Sequence, residues 1–302
     1  MELGMVGLGK MGANMTVRLV RGGHRVVGFA RTPSVVDAVV QQGATGSTSL
    51  ADMVRQLAPP RVVWLMIPSG APVDQTLDQL RPLLAPGDLI VDGGNSYYRD
   101  TLRRSTLVTS WGFRYVDVGT SGGIWGLAGG YSMMVGGDPA DVERVRPILE
   151  TLAPGPQQGW GRMGSVGSGH FVKMVHNGIE YGLMQAYAEG FAVLQAKTDF
   201  ALDLHQVAEV WRYGSVIRSW LLELTEDALA ENPTLKGIEP WVVDSGEGRW
   251  TVTEAMDLNI PAPVITLALQ QRLRSRETDP FTERLLAMLR NKFGGHEVKT
   301  ES

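Results

Sequence analysis

The sequence predicts an α/β fold in which a doubly wound sheet, with helices on both faces, precedes an all-helical domain. The first half alternates short apolar segments of strand character with segments of helical spacing. A glycine-rich passage at residues 155–169 ends this alternation, and every later segment has helical spacing. The predicted domains are therefore residues 1–165 and 166–302, in keeping with ~150 residues per domain.

The individual elements follow from the same patterns. Apolar and β-branched runs predict strands at residues 3–6, 24–29, 61–67, 89–92, 113–118 and 131–135. The stretches between them predict helices at 10–20, 33–42, 73–84, 99–111 and 139–152. Beyond the glycine-rich passage, residues 170–197 predict one long helix because they contain no proline and are too many for a strand. Helical spacing continues at 204–229, 251–256, 262–276 and 281–292.

Composition excludes several classes of protein. The net charge of −4 provides no positive excess for nucleic acid or an anionic membrane. The absence of cysteine rules out disulfides and thiol chemistry and agrees with a cytoplasmic location. The longest apolar run, residues 62–67, is far too short to span a membrane. None of the 5 histidines stands in a metal-binding spacing, so no metal is predicted.

A glycine fingerprint begins directly after the first predicted strand. Residues 7–12, GLGKMG, have the G-x-G-x-x-G spacing that allows a tight turn, close approach of a pyrophosphate and close packing of helix on strand. The phosphates of a dinucleotide then lie on the free N–H groups of the helix start. The sequence predicts a Rossmann-type domain, with a glycine-rich turn lacking a ligand as the alternative. The predicted cofactor contacts here are Gly7, Leu8, Gly9, Lys10, Met11 and Gly12.

The end of the second strand favours NADP over NAD. An acidic residue there would bind the ribose 2′-hydroxyl and repel a 2′-phosphate. This chain has Arg31 and Thr32 instead, which suit a phosphate. The alternative is an exposed surface arginine.

The long helix carries a polar stripe. At helical spacing one face holds Lys173, His176, Asn177, Glu180 and Tyr181. A buried lysine can act as a base and a carboxylic acid can donate a proton. Because the first and fourth members of the stripe are two turns apart, about 10 Å, they can address different atoms of one sugar-sized substrate. The alternative is a solvated helix face.

The opposite face of this helix is predicted to make the core contact. It presents Val172, Val175, Ile179 and Leu183. Gly178 and Gly182 cost helix stability, which predicts close packing of another element against them.

Two loops and two arginines complete the candidate site. Residues 92–96 and 117–123 lie at the C-terminal ends of predicted strands, where α/β sheets bind ligands, although each can equally be a structural turn. Arg249 and Arg272 provide cations for a phosphate. The run Arg272, Arg274 and Arg276 is predicted to be mostly solvated, with at most one member reaching a site.

Six motifs together resemble the β-hydroxyacid dehydrogenase superfamily and, within it, the short form of the 6-phosphogluconate dehydrogenase family. They are GLGKMGANM at 7–15, DGGNSYYRDT at 92–101, GTSGG at 119–123, GSGHFVKMVHNGIEYGLMQ at 167–185, GEGRW at 246–250 and RNKFGGH at 290–296. The resemblance implies metal-independent oxidative decarboxylation of 6-phosphogluconate to ribulose 5-phosphate and CO2, a pentose phosphate pathway activity, with reduction of NADP or NAD. Lys173 would be the base at the C3 hydroxyl, and Glu180 would protonate C1.

The resemblance also implies the remaining contacts. Asn95, His176 and Asn177 would hold substrate hydroxyls and orient the nicotinamide, with Ile67 beside the cofactor. Ser121, Gly122 and Gly123 would bind the substrate carboxylate, and Tyr181, Arg249 and Arg272 its phosphate. In the GEGRW motif at 246–250, Arg249 replaces the lysine that is usual in the family. Pro68 stands at a cofactor-side position where a lysine is expected. Arg290 and His296 would reach a neighbouring subunit's site, which implies a homo-oligomer, either dimer or tetramer.

Two rival functions stay open. A 3-hydroxyisobutyrate-type dehydrogenase would need neither a phosphate site nor an acid for C1, so Glu180, Arg249 and Arg272 argue against it. A catalytically silent NADP-binding protein would keep the glycine fingerprint without needing Lys173 together with Glu180.

Overall fold

The computed structural model describes residues 1–300; the last two residues of the predicted second domain lie outside the described range. The chain separates into two compact units, Met1–Asn177 and Gly178–Ser302. The boundary falls within one long helix, so the first turns of that helix belong to the N-terminal unit. Among the residues described, no helix is both long and apolar enough to cross a membrane.

The N-terminal unit is built on one sheet. Its strands are β1 Glu2–Val6, β2 Arg25–Phe29, β3 Thr45–Gly46, β4 Val62–Leu65, β5 Leu89–Asp92, β6 Arg114–Ser121, β7 Ser132–Gly136 and β8 Trp160–Gly164. They lie in the order β3-β2-β1-β4-β5-β6-β7-β8. All neighbours are parallel except β6 and β7, which are antiparallel.

Helices cover both faces of this sheet and form the second unit. The helices are α1 Lys10–Arg21, α2 Pro33–Val40, α3 Leu50–Arg55, α4 Ala71–Leu80, α5 Tyr98–Ser110, α6 Gly126–Gly129, α7 Pro139–Leu152, α8 Ser168–Ala196, α9 Leu204–Arg212, α10 Trp220–Glu231, α11 Glu247–Asp257, α12 Pro263–Arg274 and α13 Phe281–Gly294. Consecutive residues of one strand pack into two separate hydrophobic clusters. Val26 and Trp64 belong to the first cluster, and Val27 and Val63 belong to the second. The predicted fold class is therefore confirmed.

Three local features differ from the sequence prediction. Residues 204–229, expected to continue as helix, form α9 and α10 separated by a break at Gly214, whose φ is +78°. Strand β8 forms inside the glycine-rich passage, where no strand is predicted, because it pairs with β7 through Met133 and Trp160. The short elements β3, α3 and α6 are also absent from the prediction.

The apolar face of α8 does not make the core contact that its spacing predicts. Ile179 is 53% exposed and Leu183 is 46% exposed, whereas Lys173, Asn177 and Tyr181 are 4–7% exposed. The polar stripe is therefore the buried face of this helix, a burial that costs free energy unless its groups are hydrogen-bonded.

A buried ion pair anchors α5 to α4. The Arg104 side chain is fully buried, and its Nε and Nη2 donate to the two carboxylate oxygens of Asp74 at 2.9 and 3.0 Å. The hydrogen bond from Arg104 outweighs the opposing effect of partial burial, so the pKa of Asp74 lies below its ordinary value. A lowered carboxyl pKa means that this stabilisation is present above the unfolded-state pKa and is lost as the pH falls through the folded-state pKa.

We expect Asp74→Asn to reduce the free energy of unfolding at pH 7 by about 2–4 kcal/mol, because it leaves a buried guanidinium without its carboxylate. The value lies toward the low end for a buried pair, since the Asp74 side chain is 35% exposed. Urea unfolding would measure the difference, which should shrink below about pH 4. Asp100→Asn is the matched control because Asp100 lies 4.0 Å from Arg104. Equal unfolding midpoints for Asp74→Asn and wild type at pH 7 would contradict the expectation.

Candidate active site

The glycine fingerprint forms a turn between β1 and α1 in which Gly7 and Gly12 have no room for a side chain. Gly7 has φ +95°, and a Cβ there would lie 2.3 Å from the Met66 carbonyl oxygen. A Cβ on Gly12 would lie 2.0 Å from the Gly7 oxygen, so the helix packs directly on the turn. At Gly9, by contrast, a Cβ would meet no atom within 4 Å, which leaves open space above the backbone.

The start of α1 is suited to an anion. Its N-cap residue is Gly9, no side chain caps the first turn, and no acidic residue lies in it. The backbone N–H groups of the first turn therefore have no capping partner. They and the positive end of the helix dipole are directed toward the open space above Gly9. Leu8 is 2% exposed and faces the core, so it can offer a ligand only its backbone.

A cavity of about 310 Å³ adjoins this turn. It is lined by Gly9, Lys10, Met11, Gly12, Met66, Ile67, Pro68, Gly93, Gly94, Asn95 and Thr120. Predicted cofactor residues from three separate segments thus line one cavity. Pro68, which the resemblance places on the cofactor side, lines the same cavity. Arg31 and Thr32 follow β2 and are exposed; the Phe29 carbonyl at the end of β2 accepts a hydrogen bond from the Gly7 N–H at 2.9 Å. An open glycine cradle at a helix start fits a dinucleotide pyrophosphate.

The Asn95 loop rests on a buried network that the sequence does not reveal. The Asp92 carboxylate accepts hydrogen bonds from the Gly94 N–H at 3.2 Å, the Ser96 hydroxyl at 2.8 Å and the Tyr115 hydroxyl at 3.1 Å. Burial, reinforced by the adjacent Asp92 charge, raises the pKa of Tyr115 well above its ordinary value, so this hydroxyl stays a donor. Hydrogen bonds to Asp92 therefore hold the loop on both sides of Asn95, which is itself exposed.

Lys173 lies against the carboxyl end of β6. A Cβ on Gly119 would come within 2.3 Å of the Lys173 Cβ, and the next residue, Thr120, lines the cavity. The Lys173 Nζ is 3.3 Å from His176 Nδ1, which in turn is 2.9 Å from Asn177 Oδ1. Three members of the predicted polar stripe therefore form one hydrogen-bonded cluster within the N-terminal unit.

The predicted carboxylate loop lies next to α1. Ser121 ends β6, Gly122 has φ +120°, and a short 3₁₀ turn follows at Gly123–Trp125. The Asn14 side chain donates to the Ile124 carbonyl at 3.3 Å, which ties this loop to the helix that begins at the glycine turn.

In the second unit, arginines converge on residues 243–244. Arg272 donates to the Val243 carbonyl at 3.1 Å, Arg249 donates to the Asp244 carboxylate, and Arg276 lies 3.7 Å from the same carboxylate. Burial opposes ionisation of Asp244, but the Arg249 hydrogen bond, the Gly246 N–H and the Arg276 charge outweigh it and lower its pKa. Two members of the arginine run reach this segment rather than one, while Arg274 pairs with Glu277 and Glu283.

Tyr181 joins this arginine cluster. The Arg272 guanidinium lies 3.4 Å from the centre of the Tyr181 ring, and the Tyr181 hydroxyl is 3.1 Å from Ser245 Oγ. The ring packs where a Cβ on Gly248 would come within 2.4 Å of it. The residues predicted to bind phosphate, Tyr181, Arg249 and Arg272, are therefore neighbours in the structure.

The two glycines of α8 have the close neighbours that the sequence predicts. A Cβ on Gly178 would lie 2.7 Å from Thr251, and one on Gly182 would lie 3.3 Å from Val264. Both positions admit the α11–α12 pair, so this prediction is confirmed. Glu180, on the same helix, is partly exposed.

The two remaining predicted residues lie at the C-terminal end of the second unit. Arg290, near the end of α13, and His296, beyond it, are both exposed. Within residues 1–300, no group of three or more His, Cys, Asp or Glu side chains is arranged to hold a metal ion. Metal independence stays a prediction.

The fold and the glycine cradle define a dinucleotide-binding protein of the Rossmann type. Residues 2–167 match the family described as the NAD binding domain of 6-phosphogluconate dehydrogenase, and residues 169–293 match the family described as the 6-phosphogluconate dehydrogenase C-terminal domain. The chain belongs to the 6-phosphogluconate dehydrogenase family. The resemblance drawn from the six motifs is thereby confirmed.

Individual relatives and solved structures agree with this family assignment. The chain is 45% identical over 299 residues to an NAD(+)-dependent, decarboxylating 6-phosphogluconate dehydrogenase from Haloferax volcanii, with 99% of this chain and 98% of the relative covered. It superposes with TM-score 0.84 and 28% identity on the Plasmodium falciparum 6-phosphogluconate dehydrogenase, solved in apo form and with NADP+ and 6-phosphogluconate. All of this chain is covered, but it spans 66% of that protein's length. Mycobacterium tuberculosis 3-hydroxyisobutyrate dehydrogenase shares the fold, with TM-score 0.72, 24% identity and coverage of 88% of this chain and 90% of that one.

Proposed function

We propose that this protein oxidises and decarboxylates 6-phosphogluconate to ribulose 5-phosphate and CO2, without a metal ion. The observation that carries the proposal is the helix α8 itself, which holds the Lys173–His176–Asn177 cluster and, further along, Glu180 and Tyr181. We assign cofactor binding to residues 1–165 and substrate binding and assembly to residues 166–302. A cytoplasmic location, expected from the composition, stays a prediction.

The residues divide the chemistry between them. A bound oxidised nicotinamide supplies a hydride acceptor. Lys173 removes the proton of the C3 hydroxyl as the C3–H bond is broken, and its protonated amine then donates to the C3 oxygen while the C1–C2 bond breaks and CO2 leaves. Glu180 then protonates the enediol at the former C2 of the substrate, which becomes C1 of ribulose 5-phosphate. A base and an acid at separate atoms are needed because the proton leaves oxygen in the first step and returns to carbon in the last.

The other site residues bind and orient. Asn95, His176 and Asn177 are assigned to the substrate hydroxyls and the nicotinamide, with Ile67 beside the cofactor. Ser121, Gly122 and Gly123 offer backbone N–H groups to the substrate carboxylate, as successive amides in a turn can. Tyr181, Arg249 and Arg272 are assigned to the substrate phosphate.

For the coenzyme we favour NADP, with NAD as the second candidate. Arg31 follows β2 where an acidic residue would select NAD, and its exposed guanidinium suits a 2′-phosphate. The Haloferax relative is named as NAD(+)-dependent, whereas the Plasmodium enzyme was solved with NADP+. Reduction rates with the two coenzymes, compared between wild type and Arg31→Ala, would measure the preference.

We also propose a homo-oligomer. The second unit leaves large apolar side chains in water: Val193 is 70% exposed, Val264 66% and Phe293 78%. Helix α13 buries none of its described side chains. Exposed apolar area on this scale is typical of a subunit interface, and assembly would bring Arg290 and His296 of one subunit toward another. Light scattering should give two or four times the chain mass of 32.8 kDa.

Ligand protection against thermal unfolding tests the substrate class. A ligand that binds only the folded protein raises the melting temperature. We expect 6-phosphogluconate to protect, and gluconate and 3-hydroxyisobutyrate to have little effect. Protection by 3-hydroxyisobutyrate alone would favour the rival dehydrogenase, and protection by NADP without any turnover would favour a silent binding protein.

Arg272→Ala should raise KM for 6-phosphogluconate by about 10–100-fold, because a hydrogen bond to a charged group contributes about 1.5–3 kcal/mol. We expect kcat to change far less, since the phosphate is remote from the reacting carbons. Steady-state kinetics would measure both. Arg274→Ala is the matched control, because Arg274 pairs with Glu277 and Glu283 instead; similar KM values for the two variants would argue against the assignment.

A further inference from the structure

The first turn of α8 is fixed to the sheet by a carboxylate that lies outside the substrate residues assigned above. Asp117, on β6, is completely buried. One of its oxygens accepts the Gly167 N–H at 2.7 Å, and the other accepts the His170 N–H at 2.8 Å. These two donors flank the start of α8 at Ser168, so one side chain holds both backbone groups of the helix entry.

Three glycines allow the helix to lie directly on the strands. A Cβ on Gly169 would come within 2.4 Å of the Met134 carbonyl oxygen, and one on Gly136 within 2.4 Å of an Asp117 carboxylate oxygen. A Cβ on Gly119 would come within 2.3 Å of the Lys173 Cβ. Backbone, rather than side chains, therefore sets the distance between α8 and the sheet at this point.

The other polar groups around Asp117 do not replace this contact. His170 Nδ1 is 4.0 Å from the carboxylate and 2.7 Å from the Thr101 hydroxyl, so the imidazole interacts with α5. The height and rotation of the first turns of α8 thus depend on the carboxylate of Asp117 and on the glycine surface beneath it.

We propose that Asp117 and Gly119 are positioning residues for Lys173, an inference that rests on the proposed function. They act through the helix: the carboxylate fixes its first turn on β6, and the absent side chain lets the lysine lie over the end of that strand. A base must lie within hydrogen-bond reach of its proton, and misplacement by about 1 Å can lower a rate by about 100-fold. We therefore expect Asp117→Asn and Gly119→Ala to lower kcat by about 10–100-fold.

The test compares these two variants with wild type and with Gly190→Ala. Gly190 lies on the same helix, and a Cβ there would meet no atom within 4 Å. We would measure kcat, KM and the kinetic isotope effect with C3-deuterated 6-phosphogluconate, and the Kd of NADP. If positioning is lost, hydride transfer limits turnover more strongly and the isotope effect rises, while the Kd of NADP stays within about twofold because the glycine cradle is untouched.

A merely structural role would appear differently. A partly unfolded variant has a lower active fraction but an unchanged isotope effect and KM, and that result would overturn the proposal. Two substitutions of different chemistry, at Asp117 and Gly119, guard against one of them failing to fold.

A second experiment does not depend on turnover: labelling of the Lys173 amine by trinitrobenzenesulfonate, mapped by mass spectrometry. We expect labelling several-fold faster in both variants and unchanged in Gly190→Ala; unchanged labelling in all three would refute the positioning role. If wild type turns over nothing, the proposed function fails, and the labelling rates alone decide this inference.

Discussion

Lys173→Ala is expected to abolish measurable hydride transfer, lowering kcat/KM for 6-phosphogluconate by about 10³–10⁴-fold. General base catalysis contributes about 10²–10⁴-fold, and in the proposed mechanism the same amine also donates to the C3 oxygen during decarboxylation. The side chain is 5% exposed, and its Nζ lies 3.3 Å from His176 Nδ1, so the amine belongs to a buried hydrogen-bonded cluster. Stopped-flow absorbance of the reduced nicotinamide would measure the loss.

The matched control is Lys197→Ala. Lys197 directly follows α8, is exposed and pairs with Asp199 at 2.6 Å, so its removal should leave turnover unchanged. The Kd of NADP should stay within about twofold in both variants, because neither substitution alters the glycine turn that holds the pyrophosphate. Normal turnover by Lys173→Ala would refute the assignment of the base.

Glu180→Gln is expected to slow proton delivery to C1, with kcat reduced by about 10²–10³-fold. Glutamine keeps the shape of the side chain but cannot donate a proton as an acid does. Hydride transfer precedes this step, so the first turnover should still produce a burst of reduced nicotinamide, followed by a slow steady rate. Rapid-mixing absorbance separates the two phases.

The control for this substitution is Glu189→Gln on the same helix. Glu189 is exposed and accepts a hydrogen bond from Gln185 at 2.8 Å. Its replacement should leave both phases unchanged. If Glu180→Gln instead lost the burst together with the steady rate, Glu180 would act at or before hydride transfer, and the acid at C1 would have to be another group.

The sheet was predictable wherever burial on both faces produces a continuous apolar run. Residues 62–65 and 89–91 are wholly buried and form the central strands β4 and β5. Strand β8 was not predictable because its sequence, WGRMG, contains two glycines and an arginine, and its conformation comes from pairing with β7. The break between α9 and α10 was missed because apolar spacing continues across Gly214, whose φ of +78° interrupts the helix.

The candidate site, like the fold, was predictable only in part from the sequence. Motif spacing was enough to predict the glycine turn and the polar stripe of α8, since each lies on one continuous segment. Contacts between distant segments were not visible: Asp117 is 50 residues from Gly167, and Arg276 joins Arg249 only because both lie beside Asp244. The four-residue spacing of Arg272 and Arg276 was the one available signal that both could reach the same segment.

Oxidative decarboxylation itself is tested most directly by mixing the purified protein with 6-phosphogluconate and either NADP or NAD, without added metal. Absorbance of the reduced nicotinamide and released CO2 would be recorded together. We expect reduction with one CO2 released per coenzyme reduced, faster with NADP than with NAD. No reduction with either coenzyme, or reduction without CO2, would contradict it.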